Sequence, residues 1–151
     1  MAEWITPVFD RTLSDVNLAI SKIAEWKKTG ETNTYALKGC FNERDVNRIE
    51  GNIRYLRENL DKLYYFSNVI TRVTWSNRDT LNMSDVLRII QNTEDIISAY
   101  YQSNDAPDLP ETLLNYEQVN ALEKNLHLIK IILDDMISSF RECDTFECGE
   151  E

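Results

Sequence analysis

One twelve-residue frame occurs three times, and it constrains the chain more than any other feature. Its copies are Phe41–Asn52, Leu81–Asn92 and Leu114–Asn125. Each reads apolar residue, Asn, two variable positions, Asp or Gln, Val, two variable positions, Ile or Leu, two variable positions, Asn. Asn is a preferred helix N-cap because its side-chain oxygen accepts a hydrogen bond from an early helical N–H. Three residues on, Asp45, Asp85 and Gln118 are placed to reach back to the cap's own N–H, closing a capping box. The preceding Phe41, Leu81 and Leu114 are spaced to staple against Val46, Val86 and Val119. The frame therefore predicts helix starts capped by Asn42, Asn82 and Asn115, each with its inward face already specified. The Asn that closes each copy lies at the edge of the apolar stripe, where its amide is suited to hydrogen-bond a neighbouring loop. A weaker fourth copy starts at Thr12, with Asp15, Val16 and Asn17 in phase and Ala19 and Lys22 out of it.

The four starts are 30, 40 and 33 residues apart, too irregular for a solenoid. One helix per copy suits an all-α four-helix bundle with an extended N-terminal arm and structured connectors. Pro7 keeps residues 3–11 extended. A first helix runs from Thr12 or Ser14 to about Lys28, with Thr29-Gly30 as its stop. The second follows Asn42 on the seam Val46, Ile49, Ile53, Leu56, Leu60 and Leu63, and ends near Tyr64–Phe66. Gly51 within it either weakens the helix or admits another backbone. The third runs from Met83 to about Tyr101, and the fourth from Tyr116 to Phe140. The connectors 30–41 and 67–80 hold β-prone stretches, Thr34–Gly39 and Val69–Trp75, whose composition permits short strands. The fourth helix carries more apolar surface than one seam requires. Leu128, Ile131 and Ile132 broaden it, marking an interface and a homo-oligomer. The chain reads as one domain over 1–140 with an acidic tail over 141–151.

With 151 residues, 42% hydrophobic and 28% charged, the chain can bury one adequate core. Its net charge of −10 argues against nucleic acid, which needs clustered Lys and Arg, and against anionic membranes. No apolar run is of membrane-spanning length, and Met1-Ala2-Glu3-Trp4 lacks the character of a signal peptide. Three cysteines, Cys40, Cys143 and Cys148, suit free thiols in a reducing cytosol.

Chemistry is sparse. His127 is the single histidine, off the main seam, with no nucleophile pattern around it. The cysteines fall short of a zinc set, and Asp134-Asp135 lacks the oxygen-rich loop of a Ca²⁺ site. Trp4, Trp26 and Trp75 read as cover for a bundle's ends and edges. The expectation is a non-enzyme without cofactor or metal.

The strings Trp4–Thr12, Asp15-Val16, Leu37–Asn42, Asp45–Asn52 and Tyr55-Leu56, with Asn120–Glu123 and Ser139–Arg141 in similar style, resemble small proteins encoded by phages and prophages of gut Firmicutes. The likeness covers most of the chain and is weakest over Asp144–Glu151. It implies a virion structural protein of the tail or baseplate, made in the host cytoplasm, assembling with itself and other virion proteins. It brings no catalytic residues. The alternative expectation is a cytosolic adaptor or regulatory bundle that binds a host or phage protein through its acidic surface.

Overall fold

In a computed structural model, residues 1–30 and 33–145 are described, with side chains to residue 140. The fold is all-α. Four helices, α1 (Leu13–Thr29), α2 (Glu43–Lys62), α3 (Met83–Ala99) and α4 (Tyr116–Thr145), pack together as a four-helix bundle, with one 3-10 turn at Thr34–Ala36. The capping chemistry of the repeat is realised at each start. Asn42 and Asn82 close full boxes with Asp45 and Asp85, and Thr12 does the same with Asp15 ahead of α1. At α4 the box is displaced by one residue. Asn115 accepts from Gln118 N at 2.9 Å, while the Gln118 amide reaches past it to Leu114 N at 2.8 Å.

The core belongs to α2, α3 and α4. Its fully buried side chains are Ile49, Ile53, Leu56 and Leu60, then Ile89 and Ile96, then Leu122, Leu126, Ile129 and Leu133. From α1 only Ala19 is buried. That helix lies against the connector before α2, close enough that a Cβ on Gly39 would fall 2.2 Å from Asp15 O.

The three core helices run parallel. Phe41 and Leu81, which precede two of the caps, line one hollow, and Phe41 shares a second with Leu114 and Asn115. At the far end the Tyr65 and Tyr100 rings meet at 4.9 Å, and the Tyr100 hydroxyl lies 3.6 Å from Met136 Sδ. Successive parallel helices oblige the chain to travel back along the bundle each time. The twenty residues of α2 span about 30 Å, which about nine extended residues cover. The stretches after Lys62 and after Ala99 make these return passes.

That requirement corrects the β expectation. Among the described residues there is no strand. Thr34–Ala36 is a 3-10 turn, and Val69–Trp75 is extended but pairs with no other segment as a strand. Its backbone is hydrogen-bonded by side chains, and this is what the β-prone composition serves. The fourth helix, expected to end at Phe140, continues to Thr145; residues 146–151 of the expected tail lie outside the described residues. Gly51 admits no other backbone, because nothing lies within 4 Å of a Cβ placed there.

Candidate functional site

The polar chemistry of the molecule is concentrated in the grooves between the core helices, where extended segments lie. The N-terminal arm, residues 2–11, occupies the α2–α4 groove. Asn52 accepts from Ile5 N at 2.9 Å and donates to Ile5 O at 2.7 Å. Asn120 does the same for Arg11, at 3.3 and 2.9 Å. Each asparagine thus offers one backbone residue the donor and acceptor that a neighbouring strand would supply. Between them Val8 N donates to Glu123, and nearer the far end Ala2 N donates to Glu58 at 2.8 Å. The Trp4 ring packs edge-on to Tyr55, and Phe9 lies against His127.

The α2–α3 groove repeats the scheme. Asn92 brackets Ile70 at 3.3 and 2.7 Å, and Asn47 brackets Trp75 at 2.9 and 2.8 Å. Glu50 accepts from Arg72 N at 2.6 Å between them. The third groove is held more sparsely. Asn125 donates to Pro107 O at 2.8 Å and accepts from the Gln102 amide at 3.0 Å. So the closing asparagines of the repeat, Asn52, Asn92 and Asn125, each hold an extended segment.

Two carboxylates with 0% exposure, Glu50 and Glu123, sit eight residues after their caps. Each is met by an arginine placed six residues after the cap of the neighbouring helix. Arg48 reaches Glu123 at 2.6 and 3.1 Å, and Arg88 reaches Glu50 at 2.7 and 2.8 Å. On the α3–α4 edge the equivalent positions hold Ile90 and Ala121, which cannot form the matching ion pair. Around Glu123 the network is larger. Arg11, itself buried, donates to Asp45 at 3.0 Å and to Glu123 at 3.3 Å, and Arg48 also meets Asp45 at 2.6 Å. Around Glu50 the Trp75 indole N–H donates at 3.0 Å. Such pairs must be hydrogen-bonded from all sides, because an unpaired buried charge costs several kcal/mol, on the order of 3–5. Burial works against the Arg48 charge, and the Glu123 and Asp45 carboxylates more than offset it, so its proton is held more tightly than in water. The hydrogen-bonded Glu50 carboxylate, outweighing burial, does the same for Arg88.

What this arrangement does chemically is hold extended segments of the chain itself. Asparagines read an extended backbone, and a buried acidic pair takes a guanidinium. Burial, with the Asp45 charge beside it, pushes the Cys40 thiol above its ordinary value and keeps it protonated. His127 Nδ1 is buried without a hydrogen-bond partner, its ring against Phe9. Among the described residues no group of three or more His, Cys, Asp or Glu is placed to hold a metal. Cys143 and Cys148 are outside the described side chains. No described helix is long and apolar enough to cross a membrane.

Of the surface singled out on α4, Leu128 and Ile132 are half-buried and Ile131 is 42% exposed. Trp75 is buried, as a core role requires, while Trp4 packs at the rim of the core. The residues that sequence reasoning passed over are Asn47, Asn120, Glu50, Glu123, Arg11, Arg48 and Arg88. One signal was present: Glu50 and Glu123 stand four residues after Val46 and Val119, within the apolar stripe, where a carboxylate must find a buried partner. No protein-family model, curated protein or solved structure matches the chain.

Proposed function

We propose that the chain is a structural component of a phage virion, of the tail or baseplate, which works by assembling with copies of itself and with other virion proteins. The observation that carries this reading is the placement of its exposed apolar side chains. At the capped end stand Leu114, 77% exposed, with Phe41 and Met83. At the other end stand Tyr64, 83% exposed, and Phe66. Large apolar side chains at both ends of a parallel bundle favour axial contacts, and head-to-tail contacts between unlike ends build rings or filaments. The ionic and amide groups in the grooves act on the chain's own segments, so this reading assigns them no catalytic step. The likeness to small phage and prophage proteins supplies the virion context.

Mass spectrometry of purified particles tests the proposal, with light scattering of the isolated protein. A copy in the virion and association at high concentration are expected. A clean monomer that is missing from particles would overturn it. The net charge of −10 favours a second reading, an adaptor that binds a basic protein. Salt-sensitive capture of such a partner, with no copy in the particle, would select it.

A further inference from the structure

We infer that the α2–α4 groove is a peptide-docking site whose occupant, the arm of residues 2–11, exchanges between copies, so that the arm of one protomer completes the groove of another. The inference rests on the self-assembly reading above and names the interaction that would join the copies.

Three observations carry it. First, the arm is bound as a ligand would be. Among the described residues its backbone makes no hydrogen bond to another backbone group; Ala2, Ile5, Val8 and Arg11 are held by the side chains of Glu58, Asn52, Glu123 and Asn120. Those side chains lie on two rigid helices and present the same surface to any copy of the segment. Second, the arm lies outside the core. The fully buried apolar side chains all belong to α2, α3 and α4, while Trp4 only packs against their rim. The arm buries Pro7 and Arg11 in the groove, while the apolar side chains at the centre of α2, α3 and α4 pack on one another. Third, the groove is selective. Arg11, with a side chain 3% exposed, enters between Asp45 and Glu123, a geometry that a planar guanidinium fits and an ammonium does not. α1 begins at Leu13 directly after its Thr12 cap, so the arm joins the rest of the chain at residues 11–12. In an exchange between identical copies, each hydrogen bond and ion pair that an arm gives up in its own groove re-forms in the groove of the other protomer. That makes the exchange a low-cost route to assembly.

Disulfide trapping between whole chains tests the inference. Ile5 and Gly51 line the same hollow, and a Cβ at Gly51 meets nothing within 4 Å. In a background with Cys40, Cys143 and Cys148 replaced by serine, one chain carries Ile5→Cys and the other Gly51→Cys. The two are mixed at assembling concentration and oxidised. The expected result is a covalent heterodimer linked between positions 5 and 51, formed at least about tenfold above a control pairing Ile5→Cys with Lys28→Cys on exposed α1. Arg11→Lys in the Ile5→Cys chain should reduce the yield several-fold. If the serine background loses cooperative unfolding, the wild-type chain mixed with excess peptide of residues 1–11 replaces it. Proton–nitrogen spectra should then show saturable shifts at Asn52 and Asn120, and their absence at millimolar peptide overturns the inference. Heterodimer yield no higher than the control also overturns it. If the chain still associates by light scattering in that case, the assembly reading stands and only the arm exchange fails; a monomer by both measures removes both.

Discussion

Asn47→Ala and Asn92→Ala remove the same two hydrogen bonds, yet they should differ severalfold in cost. Asn47 holds both backbone groups of Trp75, which is 6% exposed, at 2.9 and 2.8 Å. Without it, the amide and carbonyl of a largely buried residue lose their partners, at about 1–3 kcal/mol for each group. Alanine returns roughly half a kcal/mol of helix propensity, leaving a net loss of about 1.5–5.5 kcal/mol, near 3 at its centre. Asn92 holds Ile70, which is 70% exposed; its carbonyl keeps a second donor in Arg88 Nη1 at 2.9 Å and its N–H is open to water, so the loss should be about 1 kcal/mol. The gap of about 2 kcal/mol is roughly a thirtyfold difference in the folded-to-unfolded ratio. Asn47→Asp sharpens the test. It keeps the acceptor for Trp75 N but sets a carboxylate oxygen against Trp75 O, and should cost at least as much as alanine. Urea unfolding followed by far-ultraviolet ellipticity and tryptophan fluorescence reads all three. Equal costs for Asn47→Ala and Asn92→Ala, or a wild-type Asn47→Asp, would refute the claim that these side chains satisfy backbone in place of strands.

Glycine and turn positions give further predictions. Gly39→Ala should destabilise by about 1–3 kcal/mol, because its Cβ would fall on Asp15 backbone, which cannot move aside cheaply. Gly51→Ala should stabilise by about 0.5–1 kcal/mol, since the position is helical and open; both are read as midpoints of urea unfolding. Tyr64 has φ 65° just past the end of α2 and is almost fully exposed, so Tyr64→Gly should stabilise by up to about 1 kcal/mol in a thermal melt. Asp15 is held below its ordinary value of 3.8 by the Thr12 backbone and hydroxyl, and Asp79 by Arg72 and Ser76. A carboxylate whose folded value is depressed contributes stability above its unfolded value and loses it as pH falls through the folded one. The melting temperature should therefore decline as pH drops below about 4, with a shallower slope in Asp79→Asn; an unchanged slope there would count against the Arg72–Asp79 ion pair.

The local rules of this chain were legible in its sequence. Capping is decided within four residues, so the repeat located the starts of α2, α3 and α4, and Thr12 with Asp15 located that of α1. The 3.6-residue period named the buried seam of α2, from Val46 to Leu60. Even the closing asparagines pointed toward loops, since an amide at the edge of an apolar stripe needs a partner. What only the tertiary structure decided is which segments those side chains meet. Whether α2 and α3 run parallel is settled by packing among elements far apart in the chain, and nothing local to Asn82 encodes it. Once they are parallel, the return passes follow, and Val69–Trp75 becomes an extended segment between helices instead of a strand. The pairing of Glu50 with Arg88, and of Glu123 with Arg11 and Arg48, spans 38, 112 and 75 residues. A sequence can show that a carboxylate on a buried face must be neutralised; the partner is chosen by the geometry that brings two helices and an arm to one groove.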